Sequence, residues 1–178
     1  MRLGYVLAEG RGELDPLLVA AARRLQAEGQ RLGGVVQINA DRPGQRCDMQ
    51  LRILGAEDLQ GEDEGGKVLI SQRLGALSRS CRLDETGLET AVARVAAQMA
   101  ADPPALLIVN KFGKAELGGR GFRPVIAQAL DGAVPVLVGV ARPNLDGFLA
   151  FAGELAEPVA ANESAILDWC RALVVAPE

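Results

Sequence analysis

The chain is expected to fold as a three-layer α/β protein built on a mostly parallel sheet. Strand-like and helix-like segments alternate along its 178 residues, as in α/β domains. One run, ALLIVN (105–110), is continuously apolar, the pattern of a central parallel strand covered on both faces. No repeat or linker interrupts the alternation, so residues 1–178 are expected to form a single domain.

The elements follow in order. LGYVLA (3–8) is a short buried strand. Asp15-Pro16 opens a helix through LLVAAARRLQAEG, with Asp15 as N-cap, Pro16 at the first helical position and Gly29 as its stop. GGVVQIN (33–39) is the second strand, and the alternating MQLRIL (49–54) a half-exposed one at an edge. The acidic, glycine-rich stretch 55–66 reads as an exposed turn, and KVLISQRLG (67–75) as another strand. Thr86 and Glu89 have capping-box spacing ahead of an amphipathic helix that Asp102-Pro103-Pro104 ends. After ALLIVN come a helix in FRPVIAQALDG, a strand in VPVLVGV, a short helix capped by Asn144 and a last helix in NESAILDWCRALV.

Composition removes several function classes. The chain has no histidine, which excludes histidine general bases, Ser-His triads and histidine metal ligands. Aromatic residues are 3%, so Leu, Val, Ile and Ala must fill the core. A net charge of −4 argues against a nucleic-acid partner held through phosphates. A mean hydropathy of +0.14 is too apolar for a disordered chain. No apolar run reaches the roughly 20 residues that span a bilayer, and the first residues lack a signal-peptide core. A cytoplasmic protein without membrane insertion is expected, with Cys47, Cys81 and Cys170 as thiols.

In doubly wound sheets, ligands sit beyond the carboxyl ends of the strands. Two loops qualify: AEGRGELD (8–15) and NKFGKAELGGRG (110–121). A phosphate-cradling loop reads G-x-x-x-x-G-K-[ST], in which Lys contacts phosphate and the hydroxyl holds Mg²⁺. The first loop keeps Gly10, Arg11 and Gly12, but no Lys-Ser or Lys-Thr follows, and Glu9, Glu13 and Asp15 crowd it. It is either a reshaped anion cradle or a self-capped strand-to-helix turn, and the loop alone favours the turn. In the second loop an apolar strand ends in Asn110-Lys111, with Lys114 and Arg120 beyond. Either these cations hold an anion directly, or the lysines are solvated or paired with Glu116. Asn-Lys also matches the start of the N-K-x-D guanine reader, but Gly113 stands where its Asp belongs.

The stretches YVLAEGRGELDPLL, QRCDMQL, SCRLD and VNKFGKAELGGRGFRPVIAQAL, with PVLVGV four residues later, resemble a bacterial NTPase-like family associated with molybdenum-transport genes. More distantly, the layout is similar to the P-loop nucleoside-triphosphatases of the thermophilic and cancer-related type. There the corresponding strand ends Asp-Glu-x-Gly-x-x-Glu. Here Asn110 and Lys111 replace the two acids, while Gly113 and Glu116 match. The exchange removes the metal-holding and water-orienting carboxylates and moves local charge by about three units toward positive.

The resemblance implies a P-loop-NTPase-like fold with degenerate Walker motifs. It implies binding of a nucleotide, or of molybdate or tungstate, in molybdenum uptake, with little or no hydrolysis. The expected anion- or nucleotide-binding set is Gly10, Arg11, Gly12, Asn110, Lys111, Lys114 and Arg120. Cys47 and Cys81, each beside an arginine, make with Arg82 a candidate metal or oxyanion site if their loops converge. Otherwise they are small buried hydrophobes. Expected partners are the small anion or nucleotide, a protein of molybdenum transport and a second copy of the chain. Two other readings stand beside this one. An active Mg²⁺-dependent nucleoside triphosphatase would hold the metal with Glu9, Glu13, Asp15 or Glu116. A non-enzymatic interaction module would keep only a vestigial site.

Overall fold

The computed structural model describes residues 1–10, 12–40, 48–55, 66–72 and 83–174. The expected alternation is present: β1 (Leu3–Ala8), α1 (Leu14–Ala27), β2 (Leu32–Ala40), β3 (Asp48–Ile53), β4 (Lys67–Leu69), α2 (Glu85–Ala101) and β5 (Leu106–Phe112). Then follow α3 (Lys114–Leu117), α4 (Arg123–Asp131), β6 (Val136–Ala141), α5 (Leu145–Ala152), β7 (Ala156–Val159) and α6 (Glu163–Arg171). The strands form a seven-stranded sheet in the order β4-β3-β2-β5-β6-β1-β7. It is parallel from β2 to β7 and antiparallel at β2/β3 and β3/β4.

The continuously apolar strand is central and covered on both faces. Leu106 and Ile108 pack with α1 and α6, whereas Leu107 and Val109 pack with α2, α4 and α5. All four are fully buried, which is why no polar residue interrupts the run. The helices thus make the outer two of three layers. The helix that follows β1 lies on one face and the helix that follows β6 on the other, although these strands are neighbours. Their carboxyl ends therefore mark a switch point of the kind at which α/β proteins bind ligands.

Two close approaches fix the centre. Gly34 has φ +95°, and a Cβ there would stand 1.9 Å from the Ile108 carbonyl oxygen. Only glycine allows β2 this near β5. β5 itself carries a bulge: Val109 pairs with Val138 and Phe112 with Val140, so Asn110 and Lys111 together face Gly139.

Several expectations need correction. Asp15 does not cap α1. Glu13 holds that position, and the Asp15 carboxylate reaches Asn110 and Asn39 instead. Thr86 and Glu89 do not form a capping box. Asp84 is the N-cap of α2 and accepts from the Thr86 amide at 3.1 Å. MQLRIL is not an edge strand. β3 lies between β2 and β4, and its Leu51 and Ile53 are buried. α3 and β7 had not been anticipated. β7 carries Glu157 and Pro158, which suit an edge that must not recruit further strands. The acidic turn falls outside the described residues at positions 56–65.

Candidate functional site

Asn110 is 1% exposed, and its carboxamide is held from both sides. Oδ1 accepts from the Gln37 amide of β2 at 2.9 Å, and Nδ2 donates to Asp15 Oδ1 at 2.7 Å. The other Asp15 oxygen accepts from Asn39 Nδ2 at 3.0 Å, and Asn39 Oδ1 accepts from Gln37 Nε2 at 2.9 Å. Asp15, Asn39, Gln37 and Asn110 therefore form a closed polar ring tying α1 to the ends of β2 and β5. A buried amide without partners would cost about 1–3 kcal/mol, and this ring removes that cost.

The bulge then turns Lys111 outward. Lys111 is exposed at the tip of β5, and Lys114 is exposed at the start of α3. Neither has an ion-pair partner among the described residues. They do not pair with Glu116, which is 3% exposed. The Glu116 carboxylate accepts from the Gly113 amide at 2.9 Å and from the Phe122 amide at 3.0 Å. It pins both ends of the Gly113–Phe122 loop. A Cβ at Gly121 would meet Glu116 Oε1, so that glycine makes room for the carboxylate.

Beyond the end of β1, Gly10 lies in the first loop. Its amide donates to Glu13 Oε2 at 3.0 Å, and a Cβ on it would meet Glu13 Oε1. Gly12 has φ +75°, the left-handed conformation that favours glycine. Glu9 and Arg142 join the ends of β1 and β6 through two hydrogen bonds. The Glu9 carboxylate raises the Arg142 pKa above its ordinary value, so that guanidinium stays charged.

The structure therefore brings Gly10, Gly12, Asn110, Lys111 and Lys114 to the strand ends. Arg120 is drawn toward α2, where it pairs with Glu85 at 3.3 Å beside a cleft of about 560 Å³. Arg11, Cys47, Cys81 and Arg82 lie outside the described residues. Glu9, Glu13, Asp15 and Glu116, the four carboxylates a Mg²⁺ site would need, each have protein partners already. Among the described residues no three His, Cys, Asp or Glu side chains gather as metal ligands. Cys170 lies apart from this end, buried on α6, and burial pushes its thiol up to about 12.

Sequence reasoning missed Gln37, Asn39 and Arg142. Gln37 and Asn39 close an otherwise apolar strand, and Arg142 directly follows one. Polar residues at the carboxyl end of a strand were the available signal.

A family model described as "Protein of unknown function (DUF2478)" matches residues 3–169. The chain belongs to this family. A relative in Bradyrhizobium diazoefficiens, the molybdenum import ATP-binding protein ModC 2, is 32% identical over 170 residues. The match takes in 96% of this chain but only 18% of that protein's length. Among solved structures, THEP1 from the hyperthermophile Aquifex aeolicus superposes with a TM-score of 0.61 at 17% identity, covering 98% of this chain and 99% of that one. A human cancer-related nucleoside triphosphatase gives 0.59 at 16% identity, covering 94% of each chain. The DUF2478 chain thus has the P-loop-NTPase-like α/β fold, while its first loop lacks the Lys-Ser or Lys-Thr of a working phosphate cradle. Among its described residues, no helix is long and apolar enough to cross a membrane.

Proposed function

We propose that the chain binds an oxyanion or a nucleotide at the strand ends, between its first loop and the β5 bulge, with little or no hydrolysis. The observation that carries this reading is Lys111. It is turned outward by a bulge whose other residue, Asn110, is locked in the polar ring. Lys111 and Lys114 supply positive charge, Gly12 leaves the backbone open to a ligand, and Gly10 does so where the ligand displaces Glu13 from its amide. Asn110 fixes the strand end. Arg11 and Arg120 belong to the same proposed set, with Arg120 released from Glu85 on binding. The engagement of the four nearby carboxylates by protein groups weighs against Mg²⁺-assisted hydrolysis, which needs a metal and a positioned water.

The biological setting we propose is molybdenum uptake or handling in the cytoplasm. It is supported by the relative named as a molybdenum import ATP-binding protein, in which the matching segment is 18% of the chain. Candidate ligands are molybdate, tungstate or a nucleotide. Cys47, Cys81 and Arg82 remain a proposed second oxyanion contact, and homodimerisation a proposed assembly.

A thermal-stability panel tests this. It contains ATP, ADP, GTP and GDP with and without Mg²⁺, and molybdate, tungstate, sulfate and phosphate. A ligand at 100 times its Kd adds about 2.7 kcal/mol, a shift of several degrees for a chain this size. A Mg²⁺-independent shift is expected. A shift seen only with Mg²⁺-nucleotide, or none at all, would overturn the reading.

A further inference from the structure

The Asp15 carboxylate receives two carboxamide N–H groups, Asn110 Nδ2 at 2.7 Å and Asn39 Nδ2 at 3.0 Å. These spacings match a different kind of site. Neighbouring oxygens around an octahedral Mg²⁺, with bonds of 2.0–2.1 Å, lie about 3 Å apart. Replacing either amide nitrogen by a carboxylate oxygen would leave two carboxylates at the edge length such an ion spans. Two carboxylates that close repel unless a cation or proton lies between them. The native chain meets the same requirement with an amide.

We infer that the two carboxamides on Asp15, buried Asn110 foremost and exposed Asn39 beside it, determine the specificity of this site. Their N–H groups do the work of a divalent cation against Asp15, so the ligand is taken without metal. The inference rests on the anion-site reading for what the ligand is, but its own geometry is independent of that ligand. Asn110 is 1% exposed at the bulge, so its amide cannot turn away to let an ion share Asp15 without opening the ring.

The test is Mn²⁺ binding, read by electron paramagnetic resonance and by thermal stability, on the full chain and three variants. Asn110→Asp is expected to bind Mn²⁺ roughly tenfold or more tightly than the wild type, as the added carboxylate supplies a second hard oxygen ligand. It should also regain stability when Mn²⁺ is added. Asn39→Asp, at an exposed position, should show the same gain in smaller measure. Asn110→Ala should lose stability with no recovery on Mn²⁺. Folded Asp variants that bind Mn²⁺ no better than the wild type would overturn the inference, as would equally tight binding by the wild type. If Asn110→Asp does not fold with or without Mn²⁺, Asn39→Asp alone decides. Failure of the wild type to bind any anion would sink the anion-site reading and leave this readout intact.

Discussion

Gly139 lies so close to the β5 bulge that a methyl group on it would stand 2.1 Å from the Asn110 carbonyl oxygen. The bulge and the glycine opposite it are therefore one feature. Two residues of β5 fit against one of β6 only because that one has no side chain. The result is a strand tip that sends Asn110 into the protein and Lys111 out of it.

Gly139→Ala should push the strands apart at this point. Overpacking against backbone costs about 1–3 kcal/mol, which urea denaturation would measure. The same variant should bind anions more weakly, because Lys111 loses its presentation. Wild-type stability and affinity together would show that the bulge does not matter.

Glu116→Ala removes the acceptor for both the Gly113 and Phe122 amides. The buried Phe122 donor left without a partner costs about 1–3 kcal/mol and the part-buried Gly113 donor adds to it, so the loss should exceed that of an ordinary surface change. Glu116→Gln keeps one acceptor and should lose less. Equal losses for the two variants, measured by denaturation, would contradict this pinning role.

Cys170 should resist alkylation in the folded chain at pH 8 and react once the chain is unfolded. Burial raises its folded pKa to about 12, above the ordinary thiol value. The neutral thiol is thus favoured in the fold. Its contribution to stability is fully present below the unfolded pKa of about 8.5 and falls as pH rises toward 12, by at most about 1.4 kcal/mol per pH unit. Cys170→Ala should flatten that alkaline loss. An identical alkaline profile in the variant would assign the loss elsewhere.

The fold was largely legible because its signals are local. LLIV (106–109) has no polar residue since both its faces are covered, and Gly29 ends α1 where expected, with φ +79°. The site was legible only in outline. Lys111 could be placed at a strand tip, but the bulge depends on Gly139, far along the chain. Asp15 looked like a helix cap because Asp beside a helix start has that local use. Its actual partner, Asn110, is 95 residues away, and no local pattern encodes that contact. MQLRIL alternates as an edge strand would, yet β4 pairs along its outer side. β7 was missed because Glu157 and Pro158 read as loop residues.

The central claim is a metal-independent anion site centred on Lys111. Isothermal titration of ATP and of molybdate into the wild type and Lys111→Glu, each with Mg²⁺ and with EDTA, tests it most directly. Binding of at least one ligand by the wild type should be unchanged by EDTA and should fall roughly tenfold or more in Lys111→Glu, a loss of about 1.4 kcal/mol or more. Unchanged affinity in Lys111→Glu, or binding abolished by EDTA, would contradict it.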